Sequence, residues 1–209
     1  MAKSVRNSQI QHGGMACLLA WMARQVVQPE VKTSVAVLLQ GDQGSGKNIV
    51  FDFWMNSVLG HTAATQMDCM EKLFGTHATA ICGKIFALFD EVSGKDCRPY
   101  MERLKNVITC DMNLFNPKND KQYTIPIPVN FCFTSNNTNP IPIDPTDRRF
   151  VVFKCTNKRR GNRDYFIRFG KHLKVSQAPP PLFSSLPLFS SLPLSHLPPH
   201  LSSLSTLSC

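Results

Sequence analysis

Apolar residues along this chain fall into two kinds of pattern. Between Met15 and Val27 (MACLLAWMARQVV), Leu18, Leu19, Met22 and Val26 line one side of a helical repeat, which predicts a helix ended by Pro29. Ser34 to Gln40 (SVAVLLQ) is continuously apolar and β-rich, as a strand covered on both faces must be. A glycine-rich turn follows directly, then Asn48 to Leu59, where Ile49, Phe53 and Trp54 return to helical spacing. A second continuous apolar run, Ile85 to Phe89, stops at the acidic pair Asp90-Glu91, and Tyr100 to Ile108 reads as another helix. Leu114 to Ile125 carries two short apolar patches around Asn116-Pro117-Lys118-Asn119-Asp120-Lys121, the pattern of a hairpin. Val129 to Phe133 and Phe150 to Lys154 complete four buried-type strands. Strands alternating with helices predict an α/β fold: a mainly parallel sheet with helices on its faces.

The last stretch is different in kind. Phe183-Ser184-Ser185-Leu186-Pro187-Leu188 recurs at once as Phe189-Ser190-Ser191-Leu192-Pro193-Leu194, and seven of the 15 prolines lie beyond Val175. Neither a helix nor a central strand survives that proline density, so residues 176–209 read as a disordered low-complexity tail. The tail holds no Asp, Glu, Lys or Arg, so the net charge of +9 belongs wholly to the first 175 residues. That charge suits a polyanionic partner without naming one. The eight cysteines are spread singly, with no CxxC pair and no zinc-ligand spacing, which reads as reduced thiols. The polar segment Met1 to Gln11 lacks the apolar core of a signal peptide, and no apolar run approaches the ~20 residues of a membrane span. The expectation is a soluble intracellular protein, in nucleus or cytoplasm.

Chemistry concentrates after the buried strands. Gly41-Asp42-Gln43-Gly44-Ser45-Gly46-Lys47-Asn48 has Walker A spacing up to its last position. Gly41, Gly44, Ser45, Gly46, Lys47 and Asn48 would cradle phosphates with backbone N–H groups while the lysine reaches the terminal ones. Asn48 stands where the usual Ser or Thr binds Mg²⁺; its amide oxygen is an alternative ligand, direct or through water. Asp90-Glu91, 43 residues beyond Lys47, ends a buried strand where open α/β sheets bind ligands. Asp90 suits Mg²⁺ and Glu91 suits activation of water, although a strand terminus is often merely solvated. Asn136 ends the Phe131-to-Asn137 stretch (FCFTSNN) beside the expected nucleotide, where a turn is the plainer reading. Arg148 and Arg149 precede the fourth strand, and one of them could complete a neighbouring subunit's site; a surface ion pair is the alternative. Lys154 to Lys174 carries eight basic residues against Asp164 alone, beside Tyr165, Phe166 and Phe169, which fits a single-strand groove or a solvated helix face.

In order and spacing, LLQGDQGSGKN, IFALFDEV, NPKNDKQYTIPIPVNFCFTSNNTNP and DRRFVVF resemble the superfamily 3 helicase core over about residues 15–170. The resemblance is nearest to the primase-helicases of large DNA viruses, phages and plasmids, the poxvirus type included. It implies an AAA+-like P-loop NTPase of three layers that binds ATP and Mg²⁺, assembles as a ring (a hexamer when complete) and travels along single-stranded DNA beside a primase or polymerase. On that resemblance Gly46, Lys47 and Asn48 take the phosphate-loop positions and Asp90 and Glu91 the metal-binding and water-activating ones. Asn136 takes the sensor position, Arg148 or Arg149 that of the trans finger, and Lys118, with Lys121 next, the DNA-contacting hairpin. The expected organisation is residues 1–29 as a helical collar end, 30–175 as the ATPase core and 176–209 as tail, a piece of a larger replication protein. Two rivals stand beside this motor reading: a degenerate module that binds nucleotide or DNA without hydrolysis, and a small P-loop phosphotransferase, for which no acceptor lid is evident.

Overall fold

The computed structural model describes residues 2–75, 79–115, 121–137, 140–144 and 146–175, with side chains described between residues 14 and 173 of these. In chain order the elements are α1 (Ala2–Val27), β1 (Ala36–Gln40), α2 (Lys47–Phe53), β2 (Ala64–Met67), α3 (Glu71–Phe74), β3 (Phe86–Phe89), α4 (Gly94–Cys97) and α5 (Met101–Thr109). They continue as β4 (Met112–Phe115), β5 (Tyr123–Pro126), β6 (Asn130–Ser135), β7 (Phe150–Lys154) and α6 (Arg163–Val175).

Five strands form one sheet in the order β2-β3-β6-β1-β7, every neighbouring pair parallel. Parallel strands need helical crossovers, and the two faces those crossovers cover must both be apolar. Ala36, Leu38, Ala87, Phe89, Phe131 and Phe133 point into one core with Leu104, Val107 and Ile108 of α5. Val37, Leu39, Phe86, Leu88 and Cys132, the alternate positions, point into a second core with Phe51 of α2 and Leu18, Trp21 and Met22 of α1. The result is a three-layer α/β fold with a parallel sheet between two helical layers. A fully buried Phe contributes about 1.5–3 kcal/mol, and the rings of Phe86, Phe89, Phe131 and Phe133, all at 0–1% exposure, belong to β3 and the middle strand β6.

Polar contacts fasten α1 to that sheet. The Trp21 indole donates to Thr33 Oγ1 and to the Val35 carbonyl, each at 3.0 Å. Gln25, fully buried, donates to the Trp21 carbonyl at 3.2 Å and accepts from the Trp54 indole at 3.3 Å. Lys32 spans to the end of α5, donating to the carbonyls of Val107 and Cys110 at 2.8 and 2.7 Å.

Three expectations change. The first helix extends back to Ala2 rather than starting at Met15. The helix expected over Asn48 to Leu59 is α-helical only to Phe53 and continues as a π-helix, Trp54–Leu59, closed by Gly60 N–H donating to Met55 O at 2.8 Å. That wider turn buries Trp54, Met55 and Leu59 together, which a 3.6-residue pattern does not foretell. The sheet also has a fifth strand: β2 (ATQM) is half polar because it is an edge strand, paired to β3 alone, and it lacks the continuous apolar run of its neighbours. The hairpin of β4 and β5 is present as an antiparallel pair inserted between β3 and β6. Its tip, with Lys118, and the 176–209 tail lie outside the described residues.

Candidate functional site

Parallel register brings the carboxyl ends of three strands to one rim. Gln40 lies opposite Ser135 and Phe89 opposite Phe133, so the segments after β1, β3 and β6 emerge side by side. The strand order places β1 between β6 and β7, so connections leave in opposite directions there, which opens a crevice at the switch point.

The loop 41–46 fills that crevice. Gly41 N–H donates to Ser135 O at 3.1 Å, and a Cβ at Gly41 would fall 2.7 Å from the Cβ of Cys155. Any side chain there would drive β1 and the end of β7 apart. Gly46 has φ +87°, the left-handed region that glycine alone enters without strain, and this reverses the chain into α2. Lys47 is therefore the first residue of α2, 8% exposed, and its ammonium donates to Asn136 Oδ1.

The acids are held by the same neighbours. Asp90 accepts from Asn48 Nδ2 at 2.9 and 3.0 Å, one contact to each carboxylate oxygen, and from the Thr134 hydroxyl. Thr134, fully buried, also accepts the Glu91 N–H at 3.3 Å. Glu91 has φ +55°, uncommon for a residue with a side chain, and its Oε1 accepts from Asn136 Nδ2 at 3.1 Å. Two linked chains result: Lys47–Asn136–Glu91 and Asn48–Asp90–Thr134. Asp52, one turn beyond Asn48 on α2, has its carboxyl pKa raised by burial and further by the charge of Asp90. An open cleft of about 620 Å³ lies beside the acids, lined by Gln66, Met67, Asp68, Lys72, Asp90 and Glu91.

The donor set can be tested for a hard cation. The Asn48 amide oxygen is buried with no hydrogen-bond partner, as is the Ser45 hydroxyl oxygen. A carboxylate and an amide oxygen are suitable ligands for Mg²⁺, which keeps water and phosphate oxygens for most of its octahedron, but Asn48 turns its Nδ2 to Asp90, so the amide must rotate before both hold one cation. Among the described residues no three His, Cys, Asp or Glu side chains group to hold a metal by themselves.

The sequence-derived residues Gly41, Gly44, Ser45, Gly46, Lys47, Asn48, Asp90, Glu91 and Asn136 thus converge at one rim. Arg148 and Arg149 do not. β7 pairs with β1 from Ala36–Phe150 to Gln40–Lys154, so both arginines sit at the opposite rim. Arg149 stands one residue before this ladder and Gly41 one residue after it, so six steps of ~3.3 Å, about 20 Å, separate it from the loop. Arg149 meets Asp147 at 3.3 Å and leaves its Nε buried without a partner. Lys121 is exposed just before β5. Sequence reasoning missed Thr134, read there only as part of a polar strand end, and the ion pair of Asp42 with Arg160 at 3.2 Å, which joins residues 118 apart. The described cysteines are free thiols, and no described helix is long and apolar enough to cross a membrane.

The chain is 31% identical over 147 residues to the DNA primase-polymerase of Nitratiruptor phage NrS-1, a match spanning 68% of this chain and 20% of that relative. Two apo structures of the NrS-1 C-terminal region superpose on it. One gives a TM-score of 0.67 at 27% identity over 78% of this chain and 39% of that one. The other gives 0.63 at 24% identity over 84% and 43%. The chain therefore spans about a fifth of the full relative and about two fifths of its C-terminal region. Residues 39–149, which run from the end of β1 to the threshold of β7 and include both acids, match a family of unknown function (DUF5906). With more than half its length matched, this chain belongs to that family.

Proposed function

We propose that this chain is an ATP-hydrolysing motor core of superfamily 3 helicase type, acting on single-stranded DNA in replication. The observation that carries the reading is the convergence of Lys47, Asn48, Asp90, Glu91 and Asn136 on one crevice. The phosphates of ATP would lie against the N–H groups of Gly41 to Asn48, with Lys47 turned from Asn136 toward the terminal phosphate. Asp90 and, once its amide is turned over, Asn48 Oδ1 would hold Mg²⁺, which when bound offsets phosphate charge. Glu91, positioned by Asn136, would accept a proton from the attacking water. The AAA+-like assembly supplies a role for the far-rim arginines: Arg148 or Arg149 would reach the nucleotide of a neighbouring subunit in a ring. Lys118 and Lys121 at the hairpin would contact the DNA backbone. The similarity to a phage primase-polymerase supports a replication setting.

A second reading is a module that retains nucleotide without hydrolysing it. It draws on Asn48, whose amide nitrogen occupies both oxygens of Asp90 where a hydroxyl usually stands. Phosphate release with and without single-stranded DNA, alongside the mass of the assembly, separates the two. Lys47→Ala is expected to abolish DNA-stimulated hydrolysis, and unchanged turnover in that variant rejects the motor.

A further inference from the structure

After β7 the chain turns back over the phosphate loop, and this return is not needed to complete the sheet. Arg160 N–H donates to Asn157 O and Asn162 N–H to Arg159 O, both at 3.0 Å, making a compact turn; the Asn162 side chain then accepts the Tyr165 N–H at 2.9 Å near the start of α6. The turn is anchored on the loop by a single carboxylate. Asp42 Oδ2 accepts from Asn157 Nδ2 at 2.7 Å and from Arg160 Nη1 at 3.2 Å. Two further contacts bracket the loop. The Phe166 ring lies 2.7 Å from where a Gly46 Cβ would stand, and Arg160 Cγ lies 3.9 Å from the Cβ position of Gly44.

These contacts differ in kind. Phe166 against Gly46 is an apolar contact that involves no charge on the loop. Arg160 is about half exposed and uses one nitrogen of a fork with five N–H donors. Arg159 beside it is committed elsewhere, its guanidinium 4.8 Å from the Tyr165 ring centroid. An exposed ion pair is weak, whereas a phosphate offers several charged oxygens to a guanidinium's planar fork.

We propose that Arg160 is a phosphate-contacting residue of the loop 41–48, held beside the loop by Asp42 and transferred from that carboxylate to the nucleotide's phosphates on binding. This rests on the loop being a phosphate site. Lys47 would then grip the anion from below, inside the crevice, and Arg160 from its open side, with the backbone of the 157–162 turn kept by Phe166 and Asn157.

The test is equilibrium binding of fluorescent ATP and AMP analogues to the full chain, each variant checked by its melting temperature. Lys47→Ala reports on the loop alone: equal binding by that variant and the unsubstituted chain overturns the phosphate-loop reading whatever Arg160 does. Arg160→Met is expected to weaken ATP roughly tenfold, as loss of a charge-assisted contact does, and AMP much less. Arg160→Lys, which keeps the charge and loses the fork, is expected to fall between and serves if the Met variant melts early. Asp42→Asn is expected to tighten ATP roughly two- to fivefold in the unsubstituted background, the scale of an exposed ion pair, and to change nothing when combined with Arg160→Met. ATP affinity unchanged in Arg160→Met and Arg160→Lys overturns the proposal. So does an Asp42→Asn gain that persists without Arg160, which would be simple removal of negative charge.

Discussion

Removing the Thr134 hydroxyl is the sharpest perturbation of how the acids are held. Thr134→Val keeps the shape of a fully buried side chain and deletes the donor to Asp90 and the acceptor for the Glu91 N–H. Asp90 keeps two contacts from Asn48, so its carboxylate is weakened rather than stranded, while the Glu91 N–H loses a bond already long at 3.3 Å. A hydrogen bond to a charged group contributes about 1.5–3 kcal/mol and a neutral one about 0.5–1.5. With Asn48 compensating in part, the variant should lose about 2 kcal/mol of stability. For a domain of this size that lowers the melting temperature by roughly 4–8 °C. Denaturant unfolding should show a shifted midpoint with an unchanged slope. Thr134→Ser restores the hydroxyl and should recover most of the loss, at the cost of one methyl. Equal midpoints for Thr134→Val and the unsubstituted chain would refute the claim that this hydroxyl carries the acid pair, and so would a Ser variant as unstable as the Val one.

Two further outcomes follow from the geometry. Gly46→Ala puts a Cβ 2.7 Å from the Phe166 ring at a left-handed φ of +87°, so urea unfolding should show a loss of about 1–3 kcal/mol, and adding Phe166→Ala should not restore full stability because the backbone strain stays. Lys32 is expected to make stability pH-dependent on the alkaline side. Burial lowers its pKa from 10.5 to about 8, outweighing the favourable charges of Cys110 and Asp111. Between those values the unfolded chain binds the extra proton, so the Lys32 contribution to stability rises from about pH 8 to about pH 10.5. Lys32→Met should flatten that rise in a series of urea midpoints across the window; an identical slope in the variant would count against it.

Much of this architecture was readable because burial on both faces leaves a strand no room for polar residues. Ala36–Leu39, Phe86–Phe89 and the core of β6 announce themselves as continuous apolar runs for that reason alone. The glycine-rich loop was readable because Gly41 and Gly46 sit where a neighbouring residue or a positive φ admits nothing larger. At the edge, β2 is half polar and shows no continuous apolar run, so its ATQM gives no such signal. The π-helical turn at Trp54 was hidden because a 3.6-residue pattern carries no mark of it.

Local periodicity, turn chemistry and charge determined the elements, the loop and the acids at the strand ends. Only the tertiary structure decided which strand lies beside which. That order puts Asn136 within reach of Lys47 and Glu91, sets Thr134 behind Asp90, sends Arg148 and Arg149 to the far rim and folds Arg160 back onto Asp42. Each of those pairings is made by strand register and crossover between residues tens of positions apart, and a sequence pattern reports only the environment of each residue along its own segment.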